Sequence, residues 1–147
     1  MKIVDIHDEA GLRAIFPLMQ QLRPHLADAD EFIQRWQRQR LDAYRIVALY
    51  ADEEADSEPL ALAGYRIQEN LVHGRFLYLD DLVSDQTSRS KGYGQYLMDY
   101  LHKQASLHGC AKLVLDTPLS NSLGHRFYFR CGMLATSLRF NMPIASA

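Results

Sequence analysis

The sequence lacks any apolar run long enough to cross a membrane. A membrane-spanning helix needs about 18 or more apolar residues in succession, and no part of the chain approaches that length. The first residues, M-K-I-V-D-I-H-D, also lack the apolar centre of a secretory signal peptide. We therefore expect a cytoplasmic protein that does not bind membranes.

Cysteine is scarce, with only Cys110 and Cys131. The two residues have neither the spacing of a metal site nor the density of a disulfide-rich protein. We expect two reduced, buried thiols and no bound metal. Neither cysteine has an evident histidine partner that would favour a nucleophile.

Basic residues are not in excess, since 16 Lys and Arg stand against 18 Asp and Glu. Nucleic-acid-binding domains typically carry a clustered basic surface, so this balance argues against nucleic acid as a partner. A hydrophobic share of 48% in 147 residues is typical of a globular chain with one core. We predict a single domain over residues 1–147.

Hydrophobic periodicity predicts an alternation of strands and helices. The order is one strand, two helices, three strands, a helix, a strand, a helix and a final strand, which indicates a mixed α/β domain. Pro17 should kink or split the first helix. The acidic segment at residues 51–59 is predicted to be an exposed connection, and residues 134–142 a last strand.

The segment R-S-K-G-Y-G, residues 89–94, follows a predicted strand and begins an amphipathic helix. Gly92 and Gly94 allow positive φ angles and a close approach to a ligand. Arg89 and Lys91 add positive charge at a helix N-terminus, where anions bind favourably. The segment therefore predicts a phosphate-binding loop, with an ordinary strand-to-helix turn as the alternative.

Of two other nucleotide-binding motifs, the P-loop is excluded and the dinucleotide-binding motif is disfavoured. Lys91 precedes the glycines, whereas a P-loop needs Gly-Lys followed by Ser or Thr. A dinucleotide-binding motif needs a third glycine and a repeating βαβ pattern, and both are missing. What remains is a phosphate-holding turn entered from antiparallel strands.

Three segments together carry a family resemblance: L-D-D-L-V at residues 79–83, R-S-K-G-Y-G at 89–94, and N-S-L-G-H-R-F-Y-F-R-C-G-M at 121–133. In this order they resemble the GNAT superfamily of acetyl-CoA-dependent N-acetyltransferases. The first motif of that family is Gln or Arg, two residues, Gly, one residue, then Gly or Ala. Met133 stands where Phe is often found, which affects packing rather than chemistry.

The resemblance covers nearly the whole chain and implies an α/β (α+β) fold. It implies a mixed, mostly antiparallel sheet of six to seven strands, flanked by about four helices, with central strands that splay apart. It also implies acetyl-CoA as co-substrate. The implied cofactor-binding residues are Leu82, Val83, Arg89, Ser90, Lys91, Gly92, Tyr93, Gly94 and Asn121.

The resemblance implies direct transfer of an acetyl group to a primary amine. Tyr128 would protonate the departing thiolate, and a backbone amide of Leu82 or Val83 would polarise the thioester carbonyl. Asp80 and Asp81 are both candidates for the general base, with ion pairing to an arginine or to a cationic substrate as the alternative. Strand alternation predicts that the two carboxylates lie on opposite faces, so that at most one reaches a given cleft.

The acceptor is not specified by the sequence, although we expect a small molecule rather than a protein. Trp36 and Phe32 are candidates to cover the acceptor site, and His125 is more simply a surface or hydrogen-bonded histidine. The alternative function is a catalytically idle acyl-CoA-binding domain of the same fold. A homodimer is compatible with the resemblance, because the last strand of this fold often contributes to an interface.

Overall fold

The structure, a computed structural model, describes residues 1–51 and 57–146. It contains two compact units, Met1–Leu115 and Asp116–Ala147. Most of the predicted acidic connection lies outside the described residues. The prediction of one domain over the whole chain stays a prediction.

The first unit is built on a single sheet with the strand order β1-β2-β3-β4-β5. Strands β1 to β4 pair antiparallel and β5 pairs parallel to β4, so the sheet is mostly antiparallel as predicted. The described residues form five strands, and the predicted number of six to seven was wrong. The strands are β1 (Lys2–Ile6), β2 (Arg45–Tyr50), β3 (Ala61–Asn70), β4 (Gly74–Ser84) and β5 (Lys112–Leu115).

The last predicted strand accounts for part of this difference. Residues 133–146 form neither helix nor strand. The apolar side chains of Leu138, Phe140 and Met142 alternate as in a strand, but they are exposed by 67%, 88% and 82%. An alternating pattern supplies an apolar face, whereas a strand also needs a neighbouring strand for its backbone hydrogen bonds.

Three helices belong to the first unit and one to the second. They are α1 (Glu9–Leu22), α2 (Ala29–Gln39), α3 (Tyr93–Leu107) and, in the second unit, α4 (Ser122–Arg130). Asp8 and Asp28 cap α1 and α2 by accepting hydrogen bonds from the amides of Gly11 at 2.7 Å and Glu31 at 2.8 Å. α1 continues through Pro17, so the predicted split of this helix is not found.

The two faces of the sheet are both covered. Ile46 and Ala48 of β2 pack into one apolar cluster with residues of α1 and α2. Val47 and Leu49, which alternate with them along β2, are also fully buried, but they do not belong to that cluster. Side chains of successive strand residues point to opposite faces, and α3 contacts β3, β4 and β5. We conclude that α1 and α2 cover one face and α3 the other.

One irregularity interrupts the pairing of β3 with β4. Gly64 pairs with Asp81, but Tyr65 pairs with Leu79, so Asp80 is an extra residue on β4. This is a β-bulge, in which two residues of one strand oppose a single residue of its neighbour. The bulge lies in the segment in which the sequence placed its candidate bases.

Candidate active site

The β-bulge directs Asp80 and Asp81 into the same cleft on the α1 and α2 side of the sheet. The prediction that alternation would place them on opposite faces was wrong. Regular alternation holds only while each residue has one partner, and the extra residue Asp80 shifts the alternation of β4 by one position.

Asp81 is buried and fully engaged by hydrogen bonds. Its Oδ1 accepts from Nε of Arg23 at 2.9 Å and lies 2.8 Å from Nη2 of the same guanidinium. Its Oδ2 accepts from the hydroxyl of Tyr44 at 2.5 Å. Arg23 also donates to the backbone carbonyl of Asp80 at 2.8 Å. Asp81 therefore fixes the walls of the cleft.

Gly64 is the residue that makes this arrangement possible. It lies opposite Asp81, and a Cβ atom at this position would overlap with Oη of Tyr44 and with Oδ2 of Asp81. Its φ angle is ordinary, so the requirement for glycine comes from space alone. The backbone of β3 has to approach closely for the Tyr44–Asp81 hydrogen bond to form.

Asp80 has a different environment. Its side chain is 23% exposed, and its Oδ2 accepts from Nε of Arg66 at 3.1 Å. Burial raises the pKa of Asp80 and the neighbouring Asp81 raises it further, whereas the Arg66 charge lowers it; the net direction is upward. A carboxylate with a raised pKa binds protons more readily, which suits a general base.

Arg66 links Asp80 to Gln39 and Asp42. Its Nη2 donates to Oε1 of Gln39 at 2.7 Å and its Nη1 to Oδ2 of Asp42 at 3.1 Å. The guanidinium carbon lies 5.1 Å from the centre of the Tyr44 ring, within the range of a cation–π contact. Asp80, Asp81, Arg23, Tyr44 and Arg66 are called the carboxylate cluster below.

The cleft above the carboxylate cluster has a volume of about 320 Å³. Phe32 and Trp36 of α2 form its apolar wall, and their role in covering an acceptor stays a prediction. Arg23 and Arg35 supply its cationic side chains, and His25 also lines it. This volume is at the lower end of the range of small-molecule sites.

A second cleft, of about 380 Å³, lies along the distal half of β3. Its charged residues are Asp42 and Glu69. It contains none of the predicted site residues, and so we place no chemistry there.

The loop at residues 89–94 leads into α3 as predicted. Gly92 is the N-cap, with a φ angle of 85°, and no side chain caps the helix there. The second positive φ angle belongs to Ser90, at 67°, rather than to Gly94. Arg89 and Lys91 are exposed. Uncapped amides of the first helical turn beside two cations form a suitable site for phosphate.

The segment of β4 before this loop pairs with β5 over a short length. Described pairs between the two strands run from Phe76 with Lys112 to Leu79 with Leu115, while β4 continues to Ser84. Val83 is buried in the core beneath α1 and α2, and Leu82 is half-buried. The backbone of Leu82 and Val83 therefore lies past the last described pair with β5.

In the second unit, Asn121 is the N-cap of α4 and accepts a hydrogen bond from the amide of Gly124 at 3.1 Å. The hydroxyl of Tyr128 belongs to a half-buried side chain whose ring contacts Phe127 edge-on at 5.2 Å between centres. Burial raises the pKa of Tyr128, with a smaller contribution from Cys131. Its hydroxyl is therefore protonated at neutral pH, as that of an ordinary tyrosine also is.

Two further sequence expectations concern His125 and the cysteines. His125 is hydrogen-bonded, with Nε2 2.8 Å from the carbonyl oxygen of Pro118. Cys110 and Cys131 are not joined in a disulfide, and both are half-buried rather than buried. Within the part of the chain that the structure describes, no group of three or more His, Cys, Asp or Glu side chains could hold a metal ion.

Sequence reasoning missed Arg23, Tyr44, Gly64 and Arg66. Arg23 and Tyr44 reach Asp81 from 58 and 37 residues away along the chain. No local pattern marks such pairs.

In residues 1–51 and 57–146, none of the helices has the length and apolar character that a membrane span requires.

The fold and the loop together define the class of protein. The sequence profile of the Acetyltransferase (GNAT) family matches residues 12–133. The chain belongs to this family, and it is an acyltransferase by class; GNAT acetyltransferases use acetyl-CoA.

Individual relatives agree with this assignment. The chain is 31% identical over 131 residues to the Bacillus subtilis (strain 168) protein named "Uncharacterized N-acetyltransferase YhdJ", covering 88% of this chain and 89% of that protein. It is 25% identical over 114 residues to glucosamine 6-phosphate N-acetyltransferase of Arabidopsis thaliana, covering 76% and 74%. The crystal structure of a Trypanosoma brucei acetyltransferase has the same fold, with a TM-score of 0.79, 18% identity and coverage of 97% and 99%.

The residues present fit acetyl-CoA. The uncapped start of α3, the positive φ angles at Ser90 and Gly92, and the exposed Arg89 and Lys91 provide amides and charge for a pyrophosphate. The backbone of β4 past its last described pair with β5 provides an extended edge for a linear arm.

Proposed function

We propose that this chain transfers the acetyl group of acetyl-CoA to the primary amine of a small molecule bound in the cleft above the carboxylate cluster. The observation that carries the proposal is Asp80, a partly exposed carboxylate with a raised pKa that the β-bulge directs into a cleft of small-molecule size. The Arabidopsis relative, whose name gives a phosphorylated amino sugar as its substrate, supports a small acceptor.

In this proposal, acetyl-CoA supplies the thioester from which the acetyl group is taken. Arg89, Ser90, Lys91, Gly92, Tyr93 and Gly94 hold its pyrophosphate through backbone amides and the two cations. Leu82 and Val83 bind its linear arm through their backbone, and one of their amides polarises the carbonyl. Asn121, besides capping α4, lines the arm.

Asp80 is the base and Asp81 is not. Most small primary amines are protonated at neutral pH, so the amine has to lose a proton before its nitrogen attacks. Both oxygens of Asp81 already accept hydrogen bonds from Arg23 and Tyr44. Asp80 is more exposed and has the raised pKa, so its carboxylate accepts the proton.

Tyr128 is the acid. Its raised pKa keeps the hydroxyl protonated, and the hydroxyl donates its proton to the departing thiolate. No covalent intermediate on the enzyme is needed for this direct transfer. A cytoplasmic location and a homodimer stay predictions.

The proposal is tested by following the release of the CoA thiol with a panel of amines. We expect at least one small primary amine to support turnover. Tyr128→Phe should lower kcat by about 10²- to 10⁴-fold, the usual contribution of an acid or base group. Tyr50→Phe is the matched control, since this half-buried tyrosine also has a raised pKa but lies on β2.

Two outcomes would contradict the proposal. Tight binding of acetyl-CoA without thiol release from any amine would favour the idle acyl-CoA-binding domain. Unchanged turnover in Tyr128→Phe would show that Tyr128 is not the acid, although the acetyl transfer itself would not be contradicted.

A further inference from the structure

The charges of the acceptor cleft are arranged by depth. Asp81 is buried, and the side chain of Asp80 is 23% exposed. Arg35 and His25 of the same cleft are exposed residues at its mouth. A molecule entering the cleft therefore meets the Arg35 guanidinium and the His25 imidazole first and the carboxylates last.

Arg23 is not available to a ligand in the same way as Arg35. Its guanidinium is held by the carboxylate of Asp81 and by the carbonyl of Asp80. Arg35, by contrast, has an ion pair with Glu31 one helical turn away, at 3.0 Å, in which both side chains are partly exposed, by 44% and 31%. Exposed pairs of this kind contribute little to stability, so Arg35 can turn to a bound anion at small cost.

Glu31 does not depend on Arg35 for its position. Its Oε2 accepts a hydrogen bond from the amide of Ala27 at 2.8 Å, at the start of α2. If Arg35 moved to a ligand, this carboxylate would stay hydrogen-bonded. The ion pair with Glu31 thus orients the Arg35 guanidinium but is not needed to position Glu31.

The spacing along α2 brings Arg35 beside the apolar wall. Phe32, Arg35 and Trp36 occupy positions i, i+3 and i+4 and all three line the cleft. A ligand whose middle portion packs on Phe32 and Trp36 has Arg35 within reach of one end. Its other end reaches toward Asp80.

We propose that the acceptor amine also carries an anionic group, a phosphate or a carboxylate, which binds Arg35 and His25 at the mouth of the cleft while the amine reaches Asp80. Arginine binds either group through two parallel N–H donors. This inference rests on the proposed function, because it describes the second substrate of the same site. It excludes purely cationic acceptors such as polyamines.

The single tryptophan of the chain provides a test that does not require turnover. Trp36 lines the cleft, so its fluorescence reports on occupancy. Two matched pairs of amines would be titrated: glucosamine 6-phosphate against glucosamine for phosphate, and γ-aminobutyrate against butylamine for carboxylate. We expect the anionic member of at least one pair to bind more tightly, by about tenfold, the effect of one charged contact.

Arg35→Gln should abolish this preference, and His25→Gln should reduce it. Arg35→Lys, which keeps the charge but loses the paired donors, should retain part of it. Arg38→Gln is the matched control, since it removes one charge from an exposed position on the same helix outside the cleft. It should leave the preference unchanged.

The inference is overturned if the amines that lack an anionic group bind as tightly as their partners that carry one, or if Arg38→Gln reduces the preference as much as Arg35→Gln. Thiol release measured on the same pairs separates the two proposals. Turnover only of the amines that lack an anionic group would overturn this inference and leave the acetyltransferase function standing. Preferential binding of the anionic amines without any thiol release would contradict the function and not the charge preference.

Discussion

The carboxylate cluster and the loop at residues 89–94 are built in opposite ways. The cluster is made of side chains from the C-cap of α1, from β3 and β4 and from the segment before β2, it is largely buried, and its chemistry depends on proton affinity. The loop is one continuous segment whose cations are exposed, and its binding groups are mainly backbone amides. A raised pKa requires burial and hence distant residues, whereas an anion site at a helix start requires only a local backbone conformation.

Removing the carboxylate of Asp80 should have the largest effect on activity. Asp80→Asn keeps the shape of the side chain but loses the base, so kcat should fall by about 10²- to 10⁴-fold while the Kd for acetyl-CoA stays the same. Steady-state kinetics and equilibrium binding would show this. Asp42→Asn is the control, because it removes the other carboxylate that pairs with Arg66, from an exposed position. Equal losses in both variants would mean that the ion-pair network, rather than a base, was disturbed.

Two glycines sharpen the comparison, because they are required for different reasons. Gly64→Ala introduces a Cβ atom that overlaps with Tyr44 and Asp81. The free energy of unfolding should fall by about 1–3 kcal/mol, the usual cost of overpacking. Denaturant titration measures it. An unchanged midpoint would show that β3 can move away from the carboxylate cluster freely.

Gly92→Ala should act through the backbone instead. No atom lies within 4 Å of the added Cβ, but the φ angle of 85° is unfavourable for alanine. We expect a strain of about 1–2 kcal/mol, which shows as a Kd for acetyl-CoA about tenfold higher if the loop relaxes away from its binding conformation. Gly74→Ala, at another open position with a positive φ angle of 69°, should not change that Kd. If the Gly92 variant and the parent bind acetyl-CoA with equal affinity, this loop conformation is not needed for cofactor binding.

The smallest expected effect is a shift in pH dependence. Asp80 has a raised pKa and acts unprotonated, so activity should fall as the pH drops through a value above the ordinary aspartate pKa of 3.8. Arg66→Gln removes the cation that lowers this pKa, and the acidic limb of kcat/KM should therefore move to higher pH. Arg66→Lys keeps the charge and should move it less. If the acidic limb of kcat/KM does not move in Arg66→Gln, the observed titration is not that of Asp80.

The sequence predicted that residues 89–94 lead into a helix and the order of most elements, because each depends on residues within a few positions of one another. Two predictions failed where the outcome depends on a distant partner. Residues 134–142 have the alternation of a strand but no described strand pairs with them. The faces of Asp80 and Asp81 follow from a shift against β3 at Gly64, which no pattern within β4 reveals.

The β-bulge can also be described as the insertion of one residue, Asp80, into β4. Gly64 with Asp81 and Tyr65 with Leu79 would be consecutive pairs of a regular ladder if Asp80 were absent. Removal of its single codon would thus leave every other residue of β4 opposite its present partner and on its present face. The sheet does not need Asp80 for its pairing, and what this extra residue adds is a carboxylate in the cleft.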